Sequence, residues 1–226
     1  MLRAVIFDFD GVITDSEILH LRAFNEVLAG HGIEITLKDY YKDYLGLTDL
    51  DLLNLLANEG LLELDDGGVE DLAEQKKQVF EKLAKTEGRI IEGVGDLLRM
   101  LKQNDVPMAI CSGALLAEIE LILEETRLRP FFEVVVSAEQ VRKGKPNPEG
   151  FALTLQKLNK KRQDAIHPSQ CIVIEDSHWG LEAARAAGMH TIAITNSYDA
   201  EQLAMAEKVI THLKQLSISD LQELCG

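Results

Sequence analysis

Short runs of consecutive apolar residues recur along the chain, and glycine, proline or polar residues bound each run. Continuous runs of this kind are typical of strands that are buried on both faces of a sheet. They predict strands at residues 4–7, 106–111, 134–137, 171–174 and 191–194. Apolar residues at helical spacing between them predict helices at residues 95–103, 115–125, 149–158 and 179–187. Strands that alternate with helices indicate an α/β fold, with a parallel sheet core flanked by helices.

The segment at residues 16–88 differs, because its apolar residues keep helical spacing throughout. Turn-forming residues interrupt the pattern at Gly30, Gly32, Gly46, Gly60 and the cluster at 65–68. We therefore expect two domains. Residues 1–15 and 89–226 would form the sheet-containing core, and residues 16–88 would form a helical domain inserted after the first strand.

The formal net charge of -15 argues against a nucleic-acid partner and against an anionic membrane, since both need a basic protein surface. No apolar stretch reaches the roughly 20 residues of a spanning helix, and the first apolar run is too short for a signal peptide. The three cysteines, Cys111, Cys171 and Cys225, lack metal-type spacing. We expect a cytoplasmic protein with reduced cysteines, and a monomer.

Two carboxylates follow the first predicted strand. The i, i+2 spacing of an extended chain puts Asp8 and Asp10 on the same side, and Gly11 allows a sharp turn directly after them. Like charges this close repel each other unless a cation or a proton lies between them. A divalent metal site is the simplest interpretation, and a solvated acidic turn is the alternative.

Polar residues also follow other predicted strands or lie in the adjoining loops. They are Ser112 and Gly113, Lys145 and Pro146, and Glu175 and Asp176. In a parallel sheet the ligand crevice lies at the carboxyl ends of the strands, so we expect these residues to converge with Asp8 and Asp10.

The residue types in this set suggest phosphoryl transfer. A carboxylate such as Asp8 can attack phosphorus, and Asp10 can protonate the leaving oxygen and later deprotonate water. Glu175 and Asp176 offer the hard oxygen ligands that suit Mg²⁺. The Ser112 hydroxyl, the amides that follow it and the ammonium group of Lys145 would hold the transferring phosphoryl group.

Four motifs, DFDGVITDS, CSG, GKPNP and IEDSHWGLEAARAAG, occur in this order along the chain. The set resembles the signature motifs of the haloacid dehalogenase-like hydrolase superfamily, in the branch with a helical cap. The resemblance implies a Rossmann-like core, a mobile cap, Asp8 as nucleophile and Asp10 as acid/base. It further implies that Asp8, the backbone carbonyl of Asp10, and Asp176 bind Mg²⁺, with Glu175 supporting or joining them.

Within this superfamily, Asp10 speaks against dehalogenation, which has no leaving oxygen to protonate. The opening DFDGVITDSEILH is also similar to beta-phosphoglucomutases, and that resemblance would give His20 a part in coupling cap closure to Asp10. A phosphomutase must grip a second phosphate, however, and Asp49 stands where the mutase pattern has an arginine. We expect a phosphatase acting on a small phosphorylated metabolite, with a phosphomutase as the alternative.

Substrate contacts are expected mainly on the helical domain. The candidates are Ser16, His20, Gly46 and Thr48, with Gly113 in the core. Two non-enzyme classes remain as further alternatives. A phospho-accepting receiver lacks an inserted helical unit, and an inactive phospho-ligand-binding protein would usually have lost one of the four residues Asp8, Asp10, Lys145 and Asp176.

Overall fold

The computed structural model describes residues 1–45, 47–65, 67–87, 89–160 and 162–226. The chain forms two compact units. Met1–Asp15 and Arg89–Gly226 make up the first, here called the core unit, and Ser16–Gly88 make up the second, here called the helical unit.

In the described part of the core unit, six parallel strands form one sheet in the order β3-β2-β1-β4-β5-β6. The strands are β1 (Ala4–Phe7), β2 (Met108–Cys111), β3 (Val134–Val136), β4 (Cys171–Glu175), β5 (His190–Ile194) and β6 (Lys208–Ile210). The four strands β1 to β4 are buried along their whole length. The α/β fold with a parallel sheet is therefore confirmed.

The α-helices of the described residues are α1 (Glu17–Leu28), α2 (Leu37–Asp39), α3 (Asp49–Asn58), α4 (Gly68–Glu87), α5 (Val94–Gln103), α6 (Leu116–Glu125), α7 (Glu149–Asn159), α8 (His178–Ala186) and α9 (Ile218–Leu224). The first four belong to the helical unit and the other five to the core unit. In the described residues, none of these helices is both long enough and apolar enough to cross a bilayer.

The core unit buries apolar side chains between its helices and the sheet. One cluster joins Ile6 of β1 and Val173 of β4 to Phe151 of α7, and all three side chains are fully buried. Cys111 and Cys171 are buried as well, and both are free thiols, as expected for core residues. Burying this apolar surface supplies the main driving force for the fold.

The predicted elements of the core lie within two residues of the observed ones. The sequence patterns did not predict β6 and α9. The strand β6 is a three-residue edge strand, and its first two residues are only half-buried, so it lacks the continuous apolar run that marks a buried strand.

The helical unit has an apolar cluster of its own. Helix α1 packs against α4, and Phe24, Leu53 and Leu56 are among the buried residues of the cluster. A five-residue π-helical turn at Tyr40–Tyr44 follows α2, and the hydroxyl of Tyr40 donates a hydrogen bond to Glu17 (2.8 Å). The unit thus has an apolar core of its own, formed by residues of the segment that the sequence predicts to be helical.

Candidate active site

The register between β1 and β4 brings three carboxylates to one edge of the sheet. Phe7, the last residue of β1, is paired with Ile174 of β4, and the backbone N–H of Asp8 donates to the carbonyl of Ile174 (2.9 Å). Asp8 therefore lies beside Glu175, which ends β4, and beside Asp176, which follows it. One oxygen from each carboxylate lies within 4.8 Å of the others, and all three residues are buried.

Among the residues that the structure describes, Lys145 is the cation bonded to these carboxylates. Its Nζ lies 2.5 Å from Asp8 Oδ1 and 2.5 Å from Glu175 Oε1. Burial alone would lower the pKa of the ammonium group, but Asp8 and Glu175 raise the pKa of Lys145 well above its usual value. Lys145 is therefore charged at every physiological pH, and it joins the first strand to the fourth.

One lysine does not compensate the negative charge of the cluster. Burial raises the pKa of Asp8 to about 8, an effect that Lys145 opposes and the carboxylates of Glu175 and Asp10 increase. Burial, followed by the charges of Glu175 and Asp8, also raises the pKa of Asp176 well above its usual value. A buried set of hard oxygen donors with excess negative charge fits Mg²⁺, so the cluster has the chemistry of a metal site.

The carboxylate of Glu175 accepts hydrogen bonds from four donors, and it occupies space that is free because residue 180 is a glycine. Its Oε2 accepts the backbone N–H groups of Asp176 (2.9 Å) and Ser177 (2.8 Å) and the hydroxyl of Ser177 (2.9 Å), while Oε1 accepts Lys145. Gly180 of α8 lies so close that a Cβ there would overlap the carboxylate. This rigid anchor fixes Lys145 as well.

Gly11 makes the sharp turn that the sequence predicts. Its φ is +77°, in the left-handed region that favours glycine, and its N–H donates to the carbonyl of Thr14 (2.8 Å). A Cβ on Gly11 would overlap the carboxylate of Asp176. Asp10 is half-buried, and the backbone directly after it therefore lies against the acidic cluster of Asp8, Glu175 and Asp176.

Ser112 follows β2, the other neighbour of β1. The pairing of Phe7 with Ile110 puts the end of β2 beside the end of β1. Ser112 is buried, and its hydroxyl accepts the N–H of Ala114 (2.9 Å), so the hydroxyl hydrogen remains for donation to another acceptor. Gly113, which follows it, is exposed.

Two residues of this edge were missed by sequence reasoning. The side-chain amide of Asn196 donates to the carbonyl of Gly11 (2.7 Å), and the hydroxyl of Ser197 donates to Asp176 Oδ2. Both follow β5, so the rule that polar residues after a strand line the crevice would have found them.

A family model for haloacid dehalogenase-like hydrolases matches residues 2–188. The chain belongs to this family. It is accordingly a hydrolase, and the resemblance of its four motifs to that superfamily is confirmed.

Named relatives agree with the assignment. The chain is 33% identical to the phosphorylated carbohydrates phosphatase of Thermotoga maritima, over 84% of each protein. It is 26% identical to the crystal structure of a beta-phosphoglucomutase from Clostridium difficile, with a TM-score of 0.81 over 100% of this chain and 97% of that chain. CbbY from Rhodobacter sphaeroides, crystallised with phosphate, has the same fold, with a TM-score of 0.86 at 24% identity over 98% and 100% of the two chains.

The helical unit of this haloacid dehalogenase-like hydrolase contains the other predicted substrate contacts. Ser16 is buried, and its carbonyl accepts the N–H of His20 (2.9 Å). Thr48 is the N-cap of α3, where its hydroxyl accepts the N–H of Asp51 (3.1 Å). Gly46 lies outside the described residues. Thr48 thus has a structural role besides any contact with a ligand.

Sequence reasoning missed a buried lysine in this unit. Lys76 of α4 is fully buried, with Nζ 2.6 Å from Asp49 Oδ1 and 2.6 Å from His20 Nδ1. The ammonium also lies over the rings of Phe24 (4.7 Å) and Phe80 (5.2 Å). Lys76 lies four residues after Leu72 and four before Phe80, so helical spacing puts it on the same face as these two apolar residues. That position was the signal in the sequence that Lys76 would be buried.

The pairing with Lys76 changes the charge at one predicted position. From the sequence, Asp49 is an acidic residue where the mutase pattern has an arginine. In the structure its carboxylate is paired with a buried ammonium, and its negative charge is therefore offset.

Proposed function

We propose that this chain is a Mg²⁺-dependent phosphatase that hydrolyses a small phosphorylated metabolite, in particular a phosphorylated carbohydrate, through an aspartyl-phosphate intermediate. The observation that carries the proposal is the buried cluster of Asp8, Glu175 and Asp176 with Lys145 bound to two of its carboxylates. The similarity to a phosphatase of phosphorylated carbohydrates supports the substrate class.

In the first step an oxygen of ionised Asp8, the form that Lys145 and bound Mg²⁺ would favour, attacks the phosphorus atom of the substrate. The bond between phosphorus and the ester oxygen breaks as the new bond to Asp8 forms, and Asp10 donates a proton to the departing alcohol. Lys145 supports this step because its ammonium holds Oδ1 of Asp8 at 2.5 Å and so fixes the direction of the other oxygen.

In the second step Asp10, now a carboxylate, takes a proton from water. The water oxygen attacks the phosphorus atom, the bond between phosphorus and Asp8 breaks, and inorganic phosphate leaves. Asp8 is then a carboxylate again, so atoms and charges balance over the cycle. One residue thus acts first as general acid and then as general base.

The residues that would hold Mg²⁺ are Asp8, Asp176 and the backbone carbonyl of Asp10, with Glu175 beside them. When bound, Mg²⁺ supplies positive charge that offsets the phosphoryl oxygens. Glu175 already accepts three donors on Oε2, so its part is to orient Lys145 and Asp176 more than to contribute ligand oxygens.

Ser112 and Lys145 would bind the phosphoryl oxygens. The Ser112 hydroxyl accepts Ala114 N–H and can donate its own hydrogen, and an ammonium group is a strong donor to an anion. These donors stabilise the charge that accumulates on the phosphoryl group in the transition state.

A phosphomutase is the second candidate, supported by the similarity to a beta-phosphoglucomutase. That reaction needs a cation for the second phosphate. Lys76 is a cation in the helical unit, but Asp49 compensates its charge at 2.6 Å. We therefore favour hydrolysis over phosphoryl transfer between two positions of a sugar. The non-enzyme alternative would usually have lost one of the core residues, and all of them are present.

Residues 16–88 are proposed to act as a cap that contributes specificity, with Ser16, His20, Gly46 and Thr48 as substrate-binding candidates. Lids of this kind exclude water and move on microsecond to millisecond timescales. Relaxation dispersion with and without a phosphate mimic tests the motion, and an absence of exchange in both states would contradict it.

The test of the function is a panel of hexose, pentose and sugar-alcohol monophosphates with Mg²⁺. Released phosphate is measured alongside isomer formation from a beta-hexose 1-phosphate with a catalytic amount of its bisphosphate. We expect phosphate release that stops in excess chelator and returns with Mg²⁺. Isomer that appears much faster than phosphate would instead establish the mutase.

The variant Asp8→Asn tests the nucleophile. It keeps the shape of the side chain but removes the attacking carboxylate, so turnover should fall by at least about 10³-fold, as expected for a nucleophile. Asp15→Asn is the matched control, because Asp15 is exposed and lies outside the cluster. Near-normal phosphate release by Asp8→Asn would exclude the aspartyl-phosphate mechanism.

A further inference from the structure

Two consecutive residues of the loop after β5 contact the turn at Gly11 and one carboxylate of the acidic cluster. Glu175 is paired with Ala193 in the sheet, so the loop after β5 begins at the same edge as the end of β4. Asn196 and Ser197 follow within four residues, and they reach Gly11 and Asp176 respectively. The loop therefore touches the chain after β1 and the chain after β4 at once.

Asn196 fixes the turn that follows Asp10. The N–H of Gly11 donates to Thr14 (2.8 Å), and the carbonyl of Gly11 accepts the amide of Asn196 (2.7 Å). Both peptide planes that meet at Gly11 are thus held by hydrogen bonds. Because a peptide is planar, the first bond also fixes the direction of the Asp10 carbonyl, which points away from Thr14.

Ser197 determines which oxygen of Asp176 is available. Its hydroxyl donates to Oδ2 of this buried carboxylate. Oδ1 then remains to bind a cation, and the carboxylate cannot rotate without losing the bond. Carboxylates that bind metals are commonly oriented by such hydrogen bonds, and losing the donor typically lowers metal affinity by about 10- to 100-fold.

We propose that Asn196 and Ser197 are positioning residues for Mg²⁺: Asn196 holds the peptide after Gly11, in the turn that carries the Asp10 carbonyl, and Ser197 orients the Asp176 carboxylate. The proposal rests on the metal site of the proposed function. Neither residue touches the phosphoryl group in this proposal. Each acts through Gly11 or Asp176.

The test measures Mg²⁺ binding directly, by isothermal titration calorimetry of the full chain without substrate. Ser197→Ala removes the donor to Asp176, and Asn196→Ala removes the donor to Gly11. Each should weaken Mg²⁺ binding by about 10- to 100-fold. Ser197→Thr keeps the hydroxyl, so its Mg²⁺ affinity should stay close to that of the wild type.

Ser169→Ala is the matched control, because Ser169 is an exposed serine of the same unit away from the cluster. Circular dichroism and urea unfolding in chelator establish that each variant is folded before titration. Unchanged affinity in both Ser197→Ala and Asn196→Ala would overturn the positioning role while leaving the metal site intact, as would an equal loss in Ser169→Ala. A wild-type chain that binds no Mg²⁺ would overturn the metal site and the positioning role together.

Discussion

Two glycines of the core unit lie directly against carboxylates of the site. A Cβ at Gly11 would overlap Asp176, and a Cβ at Gly180 would overlap Glu175. The two cases differ in backbone conformation, since Gly11 has a positive φ and Gly180 is within α8. At Gly180 only packing against Glu175 opposes a larger side chain, so a substitution there tests packing without backbone strain.

Gly180→Ala should destabilise the protein although alanine favours a helix. Helix propensity alone predicts a gain of about 1 kcal/mol. The overlap forces Glu175 away from its donors, and overpacking of this kind costs roughly 1–3 kcal/mol. We expect a lower urea midpoint, together with reduced phosphate release because Lys145 loses one of its partners.

Gly144→Ala is the control for this prediction. A Cβ at Gly144 would meet no atom within 4 Å, although the residue precedes Lys145 in the chain. The urea midpoint of Gly144→Ala should stay near that of the wild type. If Gly180→Ala stabilises the protein instead, Glu175 can move without cost and its four donors do not hold it in place.

At the scale of elements, α1, α3 and α4 of the helical unit meet around a buried charge. Lys76 comes from α4, His20 from α1 and Asp49 from the first turn of α3. Burial and the ammonium of Lys76 lower the pKa of His20 well below its usual value. The imidazole is therefore neutral in the folded protein, and its Nδ1 accepts a hydrogen bond from Lys76.

Acidification should destabilise the helical unit through His20. An unfolded histidine binds a proton near pH 6.5, but the folded one does so only at lower pH. Above about pH 6.5 the histidine is neutral in both states, so it does not make the free energy of unfolding depend on pH. Below that pH only the unfolded state gains the proton, and the free energy of unfolding falls by up to about 1.4 kcal/mol per pH unit. Urea unfolding of the wild type and His20→Gln between pH 7.5 and 5.5 measures the effect.

The difference between the two proteins isolates His20, because the carboxyl groups of the core unit titrate in both. His31→Gln is the control, since His31 is an exposed histidine of the same unit. It should retain the pH dependence of the wild type. An identical pH dependence in His20→Gln would mean that His20 is not held neutral by Lys76.

At the scale of the whole molecule, the excess negative charge makes cation binding a source of stability. The chain carries a formal net charge of -15, and the buried cluster concentrates part of it. We still predict that the protein is a cytoplasmic monomer. We also predict that it acts on a small phosphorylated metabolite and not on nucleic acid. Size-exclusion chromatography with light scattering tests the monomer.

Mg²⁺ should raise the melting temperature of the protein. A ligand at a hundred times its dissociation constant stabilises the folded state by about 2.7 kcal/mol. For a chain of this size that corresponds to roughly 5–10 °C. Calorimetry with MgCl₂, against NaCl at the same ionic strength, measures the shift, and Asp176→Asn should lose most of it. Equal shifts in both salts would indicate screening of surface charge instead of binding.

The sequence predicts the α/β sheet, which the structure confirms, and it also predicts the helical segment at residues 16–88, a turn at Gly11 and the convergence of Asp8, Lys145 and Asp176. These follow from local patterns, namely apolar runs, helical spacing and polar residues at strand ends, and from the rule that parallel strands end at one edge. The same rule applied to β5 would have included Asn196.

Tertiary structure alone decided which groups pair with each other. The contact of Lys76 with Asp49 spans 27 positions, and the contact of Asn196 with Gly11 spans 185. No local pattern encodes such an approach, because a hydrogen bond depends on where packing brings two distant segments. For the same reason only the structure revealed that Gly180 lies against Glu175 and that Asp49 is compensated by Lys76.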